Sequence, residues 1–190
     1  MNFPRKQKTA AVVLLGLVLC WQTAAFGQEA RLTDIIVTNT RDDLLLYLKV
    51  EGAFHEKMKT VIHSGIPTTF AFFIDLNRVR SLWPDKRIAA LKATHSITYN
   101  TLKKEYTLVR SWDSAGSVTT QSFVEAQRLM TEIDSLKIVP LQKLLRGAHY
   151  QIRTKAELSK LTLPFYLHYV LFFVSLWDFK TDWYTIDFVF

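Results

Sequence analysis

Alternation of apolar and polar positions is the feature that most constrains this sequence. From 44 to 50, apolar side chains occupy every second position. Successive side chains of a strand point to opposite faces of a sheet, so a period of two is typical of a strand with one buried face. Together with 35–37 and a turn at 39–42, this stretch predicts a first hairpin. Further strands are predicted at 70–77, 88–99, 105–112, 148–158 and 183–190.

The phase of the alternation also predicts which side chains are buried. Residues of one strand that share the apolar phase lie on the same face of the sheet, and that face packs on the interior. The predicted core comprises Leu44, Leu46, Leu48, Val50, Phe70, Phe72, Ile74, Tyr150 and Ile152.

Two segments have the spacing of helices. Apolar residues at 54, 58, 61 and 62 share one helical face, and Gly65 is expected to end this helix with a positive φ angle. The second helix is predicted to begin at Ser122, where Ser122 and Glu125 form a capping box. Its expected buried stripe is Ala126, Leu129, Met130 and Ile133. We therefore predict an α+β fold, mainly antiparallel β in a sandwich-like or strongly curved sheet, with two to three helices.

The N-terminal residues have the pattern of a secretory signal peptide. A basic region at 5–8 precedes an uncharged apolar run at 10–21, and small residues precede an expected cleavage site after Gly27. Cleavage after Ala25 is the second choice. One alternative is an uncleaved membrane anchor, since the run is near the lower length limit for spanning. A lipoprotein acylated at Cys20 is disfavoured, because Leu19 stands where a small residue is expected.

Residues 28–190 are expected to form a single β-rich domain in the periplasm. The full chain has 24 Lys and Arg against 17 Asp and Glu, a net charge of +7, and cleavage would remove three of the basic residues. No dense basic run is present, so nucleic acid is not an expected partner. A modest attraction to anionic membrane surfaces is expected.

The stretch 163–177, with the sequence LPFYLHYVLFFVSLW, is far more apolar than its surroundings. It is short for a transmembrane helix, and a helix is favoured over a buried strand. We predict that four of the nearby aromatic residues contribute to a docking surface for a partner protein or the membrane interface. The alternative is that the run is the central core element of the domain. These four residues are Phe172, Phe173, Trp177 and Trp183.

A second candidate binding segment surrounds Trp83 and Pro84, which four basic residues between 78 and 87 bracket. This pattern fits an anion-binding or recognition loop, for which Arg80 and Trp83 are the named candidates. The alternative is a solvated loop in which Trp83 packs on the core. No catalytic or phosphate-binding motif occurs, and no metal or cofactor is predicted. His55 and His63 are expected to be solvent-facing polar residues.

Several short motifs together resemble a known family. They are Gly65-Ile66-Pro67, Arg80 with Trp83, Tyr99-Asn100 with Tyr106, and the stretch from Trp177-Asp178-Phe179 through Asp182-Trp183-Tyr184. From Ala30 to Phe190 the chain resembles the bacterial exported family catalogued as domain of unknown function 4390. The resemblance implies an envelope location and an accessory role beside sensor histidine kinases, and it implies no enzyme activity.

These observations favour an exported periplasmic binding or interaction module of unknown ligand, accessory to a membrane sensor kinase. Its expected partner is an envelope or membrane protein, or a membrane surface. The alternative is a membrane-associated or outer-membrane structural protein, because the last strand resembles the terminal strands of outer-membrane proteins. In that strand, Tyr184, Ile186 and Phe188 share a face and Phe190 follows. An enzyme is not predicted.

Overall fold

The computed structural model describes residues 30–159 and 179–190. The strands in these residues are β1 (Arg31–Asn39), β2 (Asp43–Glu51), β3 (Thr68–Arg78), β4 (Lys86–Asn100), β5 (Glu105–Arg110), β6 (Ser117–Thr120), β7 (Glu132–Pro140), β8 (His149–Leu158) and β9 (Tyr184–Val189). The helices are α1 (Glu56–His63) and α2 (Phe123–Thr131), and a single 3-10 turn covers Leu141–Lys143.

The strands form two antiparallel sheets. A three-stranded sheet has the order β1-β2-β7, and a six-stranded sheet has the order β6-β5-β4-β3-β8-β9. The central strand β3 pairs with β4 along one edge and with β8 along the other. The predicted α+β, sandwich-like architecture is therefore confirmed, and the described residues contain two of the expected two to three helices.

The inner faces of the two sheets contribute to one apolar core. Leu46 of β2, Phe72 of β3 and Ile152 of β8 are completely buried and belong to the same cluster. All nine predicted core residues are buried. The buried face of each strand was predicted correctly, because each of these strands has one face on the core and one face toward solvent.

Helix α1 confirms the expected end of the first helical segment. Gly65 has a φ angle of +78°, and its N–H donates to the carbonyl of Ile62 at 2.9 Å. Met58, Val61 and Ile62 are buried, as their spacing predicts. The helix begins later than predicted, because Phe54 precedes it and packs half-buried against the core.

Helix α2 forms only half of the predicted capping box. Ser122 Oγ accepts a hydrogen bond from the N–H of Glu125 at 3.3 Å. The N–H of Ser122 donates instead to Thr120 Oγ1 at 3.1 Å, while the Glu125 carboxylate binds Arg128. The helix ends at Thr131, so Ile133 is buried as a residue of β7 and not of the helix.

Two predicted segments lie outside the described residues. They are the signal peptide at 1–27 and the apolar run at 163–177, which includes Phe172, Phe173 and Trp177. Within the part of the chain that the structure describes, no helix combines the length and apolar character needed to cross a membrane.

Candidate functional site

Three connections and the C-terminal residues meet at one end of the sandwich. We call this surface the loop end and define it as residues 39–43, 78–87, 140–149 and 189–190. Backbone hydrogen bonds join its parts. The N–H of Val79 donates to the carbonyl of His149 at 2.9 Å, and the N–H of Leu141 donates to the carbonyl of Asp42 at 2.8 Å. The loop end is therefore a continuous surface contributed by both sheets.

The connection between β3 and β4 carries the most exposed apolar side chains of the loop end. Leu82 is 90% exposed and Trp83 is 72% exposed. The loop is solvent-exposed, but Trp83 does not pack on the core, so that part of the alternative interpretation is wrong. Large apolar side chains that are exposed together on an ordered loop are unusual for a surface that contacts only water.

Arg80 stabilises the conformation of this connection through hydrogen bonds to residues of the same connection. Its guanidinium donates from Nε and Nη2 to the carbonyl oxygen of Pro84, at 2.9 and 2.5 Å. Its backbone N–H donates to Asp85 Oδ1 at 3.2 Å. Arg80 is a predicted binding residue, and its exposed guanidinium forms these hydrogen bonds within the loop while it keeps its charge. Arg80 thus positions Leu82 and Trp83.

Basic side chains surround the exposed pair. Arg78 at the end of β3 lies directly opposite Lys86 at the start of β4, and Arg87 is opposite Asn77. Among the described residues, no carboxylate forms a salt bridge with Arg78, Lys86 or Arg87. Like charges directly opposite each other across two strands repel, so this corner has a local positive potential that binding of an anion would relieve.

More apolar and basic side chains extend the surface beyond this loop. Val79, Leu145 and Val189 are exposed, and so are Arg41 and Arg146. Sequence reasoning missed these residues and Leu82. The signal for Leu82 was available, because an apolar Leu-Trp pair between Ser81 and Pro84 stands where a turn would normally be polar.

Trp183 lies elsewhere, on the outer face of the six-stranded sheet. It is 39% exposed, and Arg153 and Lys155 approach its ring at 4.8 and 5.3 Å. Lys155 is six residues along β8 from His149, a separation of about 20 Å at the usual rise of a strand. The structure therefore does not bring Trp183 together with Trp83. The other predicted docking residues, Phe172, Phe173 and Trp177, lie outside the described residues.

An apolar groove of about 490 Å³ adjoins the loop end between the two sheets. It lies between β1 and β9, which are edge strands of their sheets. Residues 35–39 form one wall, and Ile186, Phe188 and Phe190 form the other. Phe188 stacks on Tyr150 with ring centroids 5.7 Å apart, so this wall continues into the core.

Two histidines have interactions that the sequence did not indicate. Nε2 of His63 lies 2.6 Å from the hydroxyl of Tyr106, and the imidazole of His63 packs edge-on against the ring of Tyr99. Burial, together with the neighbouring Tyr99, raises the pKa of Tyr106. His55 and His63 are both exposed, as expected, and the ring of His63 in addition belongs to an aromatic cluster.

His95 is completely buried, between two hydrogen-bond partners. Its Nδ1 lies 3.0 Å from the carbonyl of Met130, and its Nε2 lies 2.8 Å from Nε1 of Trp112. Burial lowers its pKa to about 4. In residues 30–159 and 179–190, no group of three or more His, Cys, Asp or Glu side chains is arranged to hold a metal ion.

A family model described as Domain of unknown function (DUF4390) matches residues 27–187. No curated protein and no solved structure gives a significant match to the chain.

Proposed function

The chain belongs to this family of domains of unknown function, and we propose that it is an exported interaction module that docks on the cell envelope through the loop end. The exposed pair Leu82 and Trp83 carries this proposal. The family resemblance suggests an accessory role beside a membrane sensor kinase, and a surface that docks on the envelope is compatible with that role.

The chemistry of the pair supports a docking role. Tryptophan and leucine each have large apolar areas, and transfer of such area out of water is the main driving force of association. Trp is also among the residues that dominate binding energy in protein interfaces. Burial of Leu82 and Trp83 against a partner would remove the most exposed apolar area of the loop end from water.

The hydrogen bonds of Arg80 add a second argument. An interaction site loses less conformational entropy on binding when its conformation is already fixed. The two hydrogen bonds from Arg80 to Pro84, and the one from its N–H to Asp85, fix the loop before any partner is present. Leu82 and Trp83 therefore lie on a loop whose conformation is fixed before binding.

The export part of the proposal rests on the leader pattern in residues 1–27. Intact-mass measurement of protein recovered from the envelope tests it directly. We expect a chain that begins at Gln28. A mass that still includes Met1 would exclude cleavage and would indicate an anchored protein.

Binding to sphaeroplasts tests the docking part. We expect the double variant Leu82→Ser/Trp83→Ser to bind at least about tenfold more weakly than the unchanged protein, because two large apolar contacts are lost. The matched control is Leu102→Ser/Val124→Ser, which removes two side chains that are 94% and 76% exposed outside the loop end. Equal binding by both double variants would contradict the proposal.

A further inference from the structure

The loop end combines exposed apolar residues with an excess of positive charge. Its side chains comprise seven Arg or Lys and three Asp. We infer that the partner of the loop end is the surface of a membrane rich in anionic phospholipid, with Leu82 and Trp83 entering the headgroup region. This inference rests on the proposed function and names its partner.

Charge complementarity favours an anionic surface. Of the three Asp side chains, Asp43 forms a salt bridge with Lys137 at 2.6 Å, whereas Asp85 accepts a hydrogen bond from the backbone N–H of Arg80 and keeps its charge. The seven basic side chains still outnumber the acidic ones. The opposed cations Arg78 and Lys86 have no acidic partner within the described residues. Phosphate groups of a membrane would supply the missing counter-charge to several of these cations at once.

The apolar pair has the properties of a membrane-interface anchor. Trp is enriched at the level of lipid headgroups, because its ring is apolar while its N–H can donate a hydrogen bond there. Leu82, beside it, has no polar group that would oppose entry into the acyl boundary. Insertion of apolar side chains combined with attraction of basic side chains to anionic lipid is one established way in which proteins attach to a membrane surface.

The shape of the surface also favours a bilayer over a compact anionic ligand. Arg41 and Arg146 lie in two different connections of the loop end, and Arg78 ends the strand that leads into the third. A site for one phosphate-bearing small molecule needs donors that converge on a single position, within a pocket. Cations spread over one end of a sandwich, around a projecting apolar tip, fit an extended layer of headgroups.

Trp83 provides its own probe for the test. Protein recovered after export is mixed with vesicles that contain about one third phosphatidylglycerol in phosphatidylcholine, or phosphatidylcholine alone. The emission of Trp83 is obtained as the difference between the unchanged protein and Trp83→Phe. We expect this difference signal to shift to shorter wavelength with the anionic vesicles, and to be quenched by lipids brominated in the acyl chain.

Two further measurements distinguish the contribution of charge to vesicle binding from the contribution of apolar insertion. Raising the salt to about 0.5 M should weaken binding at least tenfold, since surface charges are then strongly screened. Lys86→Glu/Arg87→Glu should weaken it similarly, whereas Lys103→Glu/Lys104→Glu, at the opposite end of β4, should change it less than twofold. Equal binding to neutral and anionic vesicles would overturn the inference.

Absence of quenching of the Trp83 signal would also overturn the inference, even if another part of the protein attached to the vesicles. The outcome for sphaeroplasts distinguishes this failure from failure of the proposed function. If Leu82→Ser/Trp83→Ser impairs sphaeroplast binding while vesicles leave Trp83 unchanged, the loop end docks on an envelope protein. If neither measurement responds, the loop end is not a docking surface.

Discussion

Nε1 of Trp112 donates a 2.8 Å hydrogen bond to Nε2 of His95, which is completely buried in the core. The indole N–H can only donate, so Nε2 of His95 is the acceptor and its proton lies on Nδ1. Nδ1 then donates to the carbonyl of Met130 at 3.0 Å. The neutral imidazole thus joins β4, the residues after β5 and α2 through one side chain.

This arrangement predicts that stability falls in mild acid. Burial lowers the pKa of His95 from 6.5 to about 4; the hydrogen bond to the Met130 carbonyl opposes this shift, and the positive charge of Arg110 adds to it. Between those pH values the unfolded chain binds more protons than the folded chain, so the stabilisation is present above pH 6.5 and is lost toward pH 4. Urea denaturation should show about 2 kcal/mol less stability at pH 5 than at pH 7.

The variant His95→Gln provides the control for this pH dependence. It should be less stable at pH 7, because the hydrogen bonds to Trp112 and Met130 are weakened or lost. It should also lose most of the difference between pH 5 and pH 7, since the titrating group is gone. An unchanged difference would assign the acid sensitivity to another residue.

Two neighbouring phenylalanines of β3 test which face of this strand is buried. Phe72 is completely buried, so Phe72→Ala should lower the free energy of unfolding by about 3–5 kcal/mol. Phe73 points to the outer face, where Lys92 and Lys155 approach its ring at 5.4 and 4.7 Å. Phe73→Ala should cost only about 1 kcal/mol. Similar midpoints of chemical denaturation for the two variants would mean that the face is assigned wrongly.

Gly65 tests the end of α1. Its φ of +78° is strained for any residue with a Cβ, and a Cβ there would lie 3.4 Å from the carbonyl oxygen of Tyr99. Gly65→Val should therefore lower the free energy of unfolding by about 1–3 kcal/mol. The adjacent exposed residue Ser64 has an ordinary negative φ, so Ser64→Val serves as the control in the same thermal or urea measurement. A smaller loss for Gly65→Val than for Ser64→Val would refute this account.

The sequence predicted the longer strands with a regular period of two and missed β6 and β7. Strand β7 was missed because its buried residues Ile133 and Leu136 are three positions apart, with Ser135 at a φ of +60° between them. The pairing with β2 shifts register at the same place, so the period of two is broken. Strand β6 was missed because Ser117–Thr120 is short and mainly polar.

The candidate site was only partly predictable. The sequence identified Trp83 and the surrounding basic residues, but it could not decide whether the indole packs inward. That depends on the hydrogen bonds from Arg80 to Pro84, a feature of loop geometry that no periodicity encodes. The participation of Leu145 and Arg146 depends on contacts between β3, β8 and the C-terminal residues, which are distant in sequence.

Photo-crosslinking in living cells is the most direct test of docking through the loop end. A photoreactive amino acid replaces Trp83 in one form of the protein and Leu102, at the opposite end of β4, in another. We expect adducts with envelope lipid or protein from position 83 and few or none from position 102, with both forms equally stable. Equal adduct yields from the two positions, or adducts from position 102 alone, would contradict the account.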